Sequence, residues 1–205
     1  MIDAREALKR LRDGNRRFLD GVRGLESLAS EARRIELAAG QEPFAIVLGC
    51  SDSRVPAEIV FDHGLGDLFV IRVAGNIVAP SQIGSVEFAA ERFGTRLVVV
   101  LGHSMCGAVQ ATLDELRRAS GTPSRNLRSI VDRIRPAVEP LLAGHAANAD
   151  GLMREAVRAN VRMAAAQLRH GSGLIEGLVR SDGLLVVGAE YSLETGAVDF
   201  FDGLE

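Results

Sequence analysis

The chain has 205 residues, 47% of them hydrophobic, and a net charge of −3. That is enough chain for one compact core, and it is too near neutrality to point to nucleic acid or an anionic membrane as partner. No apolar run approaches the ~18 residues of a membrane-spanning helix, and the start lacks the apolar core of a signal peptide, so a cytoplasmic protein is expected.

Residues 3–20 carry Ala4, Leu8, Leu11 and Phe18 on one stripe, which predicts an amphipathic helix with Asp3 as its N-cap. Gly21 and Gly24 interrupt the pattern, and residues 25–39 resume as a second helix ending at Gly40. Both precede the first strand, so they either pack on their own domain or reach over a partner subunit. The short apolar runs 44–48, 67–71, 97–101 and 184–188 read as buried strands of a parallel sheet. An edge strand, 197–201, follows the turn Glu194-Thr-Gly196. Between the strands lie a short helical stretch opened by Pro56, the turn Gly75-Asn76, a helix from Ser81 or Ser85 to Phe93, and another over 106–118. A loop at 120–124 leads to a helical pattern over 127–142, where Pro136 and Pro140 each predict a kink or break. After Gly151 a long helix buries Met153, Val157, Val161, Ala164 and Leu168, and residues 174–179 form a further short one. The expected fold is α/β. It has a mainly parallel four-stranded sheet with an edge strand, flanked by helices, in one domain over 1–205 (helical arm 1–40, α/β core 41–205).

Two loops carry the chemistry. Gly49-Cys50-Ser51-Asp52-Ser53-Arg54 follows the first strand, and Gly102-His103-Ser104-Met105-Cys106-Gly107 follows the third. Open α/β sheets bind ligands just past the carboxyl ends of their strands. Cys50, His103 and Cys106 supply two thiolates and an imidazole, a donor set that suits zinc, and three protein ligands leave a tetrahedral position open for catalysis. His103 and Cys106, three residues apart, are expected at the start of a helix. A disulfide between the two cysteines of the chain is disfavoured by a reducing compartment. Asp52 and Arg54 form a charge-assisted pair that keeps the carboxylate ionised and turns a free oxygen toward the metal. Asp52 then either accepts a hydrogen bond at the site or becomes a fourth ligand. His63, His145 and His170 lack companions at ligand spacing and read as surface or capping residues. Ser51, Ser53 and Ser104 have no free histidine beside them and read as hydrogen-bonding support. No phosphate-binding glycine loop is present.

Cys50-x-Asp52-x-Arg54 followed by His103-x-x-Cys106-Gly107 resembles the zinc signature of the β-class carbonic anhydrases. The resemblance extends to Ala7-Leu8, Gly14-Asn15-x-Arg17-Phe18, Val55-Pro-Ala-Glu58, Leu68-Phe-Val-x-Arg72, Ala74-Gly-Asn76, Gly84-Ser-x-Glu87 and Val187-Gly-Ala-x-Tyr191. It implies a zinc lyase that hydrates carbon dioxide reversibly by zinc-hydroxide attack, with Cys50, His103 and Cys106 on the metal and Asp52 and Arg54 as catalytic dyad. It further implies that Gln41, Phe69 and the Gly107 N–H contact substrate, with Phe88 standing where the plant-like members carry tyrosine. Val47 replaces the tryptophan of the bicarbonate-regulated subgroup, although Arg72 and Tyr191 match the rest of that pocket. The plant-like, open-site subgroup is therefore expected, as a homodimer or dimer of dimers whose N-terminal helices embrace the neighbour. A carbonyl sulfide or carbon disulfide hydrolase on the same fold, and a non-catalytic zinc module, are the alternatives.

Overall fold

The computed structural model describes residues 2–22, 30–117, 124–144 and 149–204. The start of the second predicted helix, the loop before Ser124 and His145 lie outside them. Five strands, β1 (Ala45–Gly49), β2 (Leu68–Arg72), β3 (Leu97–His103), β4 (Leu185–Tyr191) and β5 (Val198–Asp202), form one sheet in the order β2-β1-β3-β4-β5. All pairs are parallel except β4 with β5. Every residue of β1 and β3 is buried, which accounts for their unbroken apolar runs: both faces of the sheet are covered, so alternation would leave polar groups in the core.

Successive residues feed opposite layers. Ala45, Val47, Leu97, Val99 and Leu101 pack against α1 (Ala4–Leu19) and, after the Cys50–Arg54 loop, α3 (Ala57–Val60). Ile46, Leu48, Val98 and Val100 pack against α4 (Pro80–Arg92) and two later helices, α7 (Ala149–His170) and α8 (Gly173–Ser181). A third apolar cluster surrounds Cys50 and Cys106 and draws on α5 (Gly107–Arg117), α6 (Arg125–Val138) and α7.

The first helix packs on its own sheet. Asp3 caps it, its Oδ1 accepting the Glu6 N–H at 2.8 Å, and Ala4, Ala7, Leu8 and Leu11 are buried. The Gly14-Asn15-x-Arg17 motif acquires a physical reason here. A Cβ on Gly14 would overlap the Phe61 carbonyl oxygen. The Asn15 carboxamide donates to the Val60 and Gly196 carbonyls, each at 3.0 Å, and accepts from the Val198 N–H at 2.9 Å. Arg17 pairs with the buried Asp62 at 2.6 Å. By contrast α2 (Glu31–Glu36), continued by a 3-10 turn to Ala39, buries no residue.

Several boundaries differ from expectation, three of them for a clear local reason. α4 begins at Pro80, whose missing N–H costs nothing in a first turn, rather than at a serine. α6 runs past Pro136 to Val138 and only then tightens into the 3-10 turn that holds Pro140. β3 continues two residues beyond Leu101, because Gly102 and His103 pair with Glu190 and Tyr191 of β4.

Candidate metal centre

β1 has β2 on one side and β3 on the other, so the chain reverses direction across the sheet between β1 and β3, and a crevice opens at their carboxyl ends. Cys50 follows β1 directly, and His103 is the last residue of β3. His103 is thus a strand residue, not the start of a helix as its spacing suggested. The chain turns from strand to helix in Ser104 and Met105, the latter at a left-handed φ of 56°, and delivers Cys106 just ahead of α5.

The result is a buried triad. The ligand atoms of Cys50, His103 and Cys106 all lie within 4.8 Å of one another, the one such group among the described residues. Both cysteines are free thiols, so no disulfide joins them. His103 is fully buried, and its Nδ1–H donates to the Ser104 carbonyl at 2.9 Å. That bond fixes the tautomer and leaves Nε2 as a lone pair with no hydrogen-bond partner. A buried imidazole nitrogen without a partner, facing two thiols, fits a thiophilic divalent cation.

The electrostatics agree. A hydrogen bond from Cys106 draws the Cys50 thiol well below its usual range against the cost of burial, with His103 and the Gly75 and Asp52 N–H groups adding to it. The same pairing, with burial, pushes Cys106 upward. Burial works against charge on His103, yet contacts with Cys50, the Ser104 carbonyl and Asp52 raise it.

Asp52 lies beside this triad, its Oδ2 3.8 Å from His103 Nε2. Arg54 grips both carboxylate oxygens: Nε donates to Oδ1 at 2.9 Å, Nη2 to Oδ2 at 2.7 Å, and the backbone N–H to Oδ1 at 3.0 Å. These bonds from Arg54 hold the carboxyl far below the usual carboxylate range. The fork of the guanidinium matches both oxygens at once, and Oδ2, the one nearer His103, keeps a second lone pair for the site. Arg72 ties down the loop. Its Nε donates to the Cys50 carbonyl at 3.0 Å and its Nη2 to the Asp52 carbonyl at 2.6 Å.

The other predicted residues are scattered. A Cβ built on Gly107 meets open space, so its backbone at the start of α5 is approachable. Phe69 on β2 forms an aromatic patch with Phe88 and Phe93, and Phe88 is 53% exposed. Gln41 lies at the opposite end of β1 from the triad, in a cavity of about 600 Å³ with Arg34, Leu37 and Leu65. A five-residue strand spans ~16 Å, so one chain does not bring Gln41 to its own metal centre. Tyr191 is buried against Phe18, and Ser104 Oγ accepts the Leu193 N–H as hydrogen-bonding support. His63 is largely buried, not a surface residue: its ring meets Phe44 edge-on at 4.8 Å and Asp67 at 3.6 Å. His170 is exposed. Sequence reading missed Gly75, whose N–H donates to Cys50 Sγ at 3.3 Å. A glycine in the turn after β2 was the available signal.

Comparison with known proteins converges. A family model described as carbonic anhydrase matches residues 45–198. Carbonic anhydrase 2 of Mycobacterium tuberculosis is 42% identical over 193 residues, 93% of this chain and 89% of that protein. The carbonic anhydrase of Mycolicibacterium smegmatis is 42% identical over 197 residues, 94% and 91% of the respective chains. The solved β-carbonic anhydrase CafA of Aspergillus fumigatus superposes with a TM-score of 0.75 at 28% identity, covering 84% of this chain and 81% of that one.

Proposed function

The chain belongs to the β-carbonic anhydrase family, and from that premise we propose that it is a zinc enzyme interconverting carbon dioxide and bicarbonate. The observation that carries the reading is the orphaned Nε2 of His103, set between two thiols and a carboxylate. Held by Cys50, His103 and Cys106, zinc would supply Lewis acidity that brings the ionisation of water into the neutral range.

The chain's own residues do the rest. Asp52 is ionised, so it accepts a hydrogen bond and never donates one. It fixes the remaining proton of the attacking oxygen and leaves a lone pair for the substrate carbon. Arg54 occupies both Asp52 oxygens and so aims the carboxylate, opposing its capture as a fourth ligand. The Gly107 N–H, at the positive end of α5, donates to a substrate oxygen. Phe69, paired with Ile46 toward the start of β1, and Phe88 beside it give an apolar wall, suited to a substrate with no charge or net dipole, to the site of a second copy of the chain. The hydroxyl found in the plant-like members is missing at Phe88, while Val47 in place of tryptophan favours their open-site subgroup.

Gln41 serves substrate from a second copy of the chain, since its own metal centre lies at the far end of β1. That puts the pocket at a subunit interface in a homodimer or dimer of dimers. No helix among the described residues is long and apolar enough to cross a membrane, in keeping with a cytoplasmic enzyme.

Stopped-flow carbon dioxide hydration on protein of known zinc content tests the reading. Rates should rise with pH through a single ionisation. A fully zinc-loaded protein inactive at every pH would overturn it.

A further inference from the structure

We propose that Asn160 is a positioning residue for the metal centre, acting through Gly75 on the sulfur of Cys50; the inference rests on Cys50 being a metal ligand. Asn160 lies in α7 at 3% exposure, and its Nδ2 donates to the Gly75 carbonyl at 2.8 Å. The Gly75 N–H in turn donates to Cys50 Sγ at 3.3 Å. The two groups flank one α-carbon, held at φ 70° and ψ 17°. A Cβ there would come within 2.7 Å of Ile134 Cδ1 and 3.1 Å of the Ala108 Cβ, so only glycine places its amide against the sulfur.

Asn160 has no local reason to be where it is. Its helical neighbours Val157, Val161 and Ala164 are all buried and apolar, and asparagine is a mediocre helix former. An unpaired carboxamide at such a site would be costly, and the Gly75 carbonyl removes that cost. The consequence reaches the metal. An N–H···S bond draws charge from a thiolate, weakening its donation to the ion and strengthening the ion as a Lewis acid. The length and angle of that bond depend on how firmly the Gly75 α-carbon and the peptide groups on either side of it are held, and α7 holds the following peptide through one side chain. Outer partners of this kind are typically worth 10–100-fold in metal affinity or activity.

The test is Asn160→Leu, close in volume and lacking the donor, loaded with cobalt(II) beside the wild type. The expected result is a sulfur-to-cobalt charge-transfer band shifted to lower energy and an activity–pH profile displaced to higher pH. A merely structural role would lower stability and leave the band in place. A folded variant whose band and pH profile match the wild type would overturn the role of Asn160 while leaving the metal site standing. A wild type that binds no cobalt would instead remove the site reading, and this inference with it. Should the variant fail to fold, wild-type protein loaded with spin-active cadmium decides the matter. Scalar coupling between the metal and the Gly75 amide proton supports the relay, and its absence overturns it.

Discussion

Two buried polar side chains, Asn15 and His103, sit on opposite sides of the β1 strand's history: one docks the helix before it, the other faces the loop after it. Asn15 has both donor and acceptor matched to backbone groups of two distant segments. Its neighbour Asp62 keeps one oxygen unpartnered, but Arg17 meets its charge. His103 has one nitrogen matched and the other left bare against thiols. A satisfied carboxamide closes a fold. An unsatisfied imidazole beside sulfur is a socket for something the chain does not encode.

The contrast is sharpest if the socket is destroyed. Cys50→Ser should lose metal and activity together, with metal analysis showing near-empty protein and the hydration rate down by at least about 10³-fold, since the ion supplies the acidity of the nucleophile. The fold should survive, because the sheet is held by apolar layers on both faces that do not include the triad. Asp52→Asn should separate binding from turnover: metal content stays full while the rate drops by about 10²-fold or more, the usual range for a positioned acid–base group. Full turnover in that variant would remove the dyad from the mechanism.

Asn15→Ala should do the reverse. It leaves two carbonyls and an N–H without their partner and costs about 3 kcal/mol in urea denaturation, while cobalt bound to the variant gives an unchanged spectrum. A shifted spectrum would mean that the two regions are coupled. The smallest effect concerns pH. Arg54 depresses the Asp52 carboxyl, so the stability it contributes is complete above the unfolded value of about 3.9 and fades only as pH falls through the lower folded value. The Asp52 carboxyl carbon resonance should therefore stay flat from neutrality down to about pH 4. Movement at about pH 5 to 6 would mean that the Arg54 fork is open in solution.

Much of this was legible in the sequence, for unequal reasons. Parallel strands buried on both faces must be apolar throughout, so β1 and β3 could be read directly. With only Cys50 and Cys106 available, each in a loop after a strand, the donor set followed. The end of β3 did not, because the last two residues are strand only by virtue of pairing with Glu190 and Tyr191, nearly ninety residues on. The double grip of Arg54 on Asp52 depends on a loop geometry that spacing alone leaves open. Asn160 was invisible for a similar reason: in an apolar helical stripe an isolated polar residue has no meaning until its partner is known.

Cys50 and His103 hang from neighbouring strands whose register pairs Gly49 with Leu101. A slip of one residue would carry one ligand ~3.3 Å along the strand and turn its side chain to the other face. Such a chain could collapse and hide its apolar runs, yet offer no coordination. Metal occupancy therefore acts as a proofreading mark on folding, separating correctly threaded chains from compact misassemblies that bulk probes of secondary structure would count alike. Since pairing between distant parallel strands is a slow event, the rate at which refolding protein acquires cobalt colour is a clock for the assembly of β1 on β3.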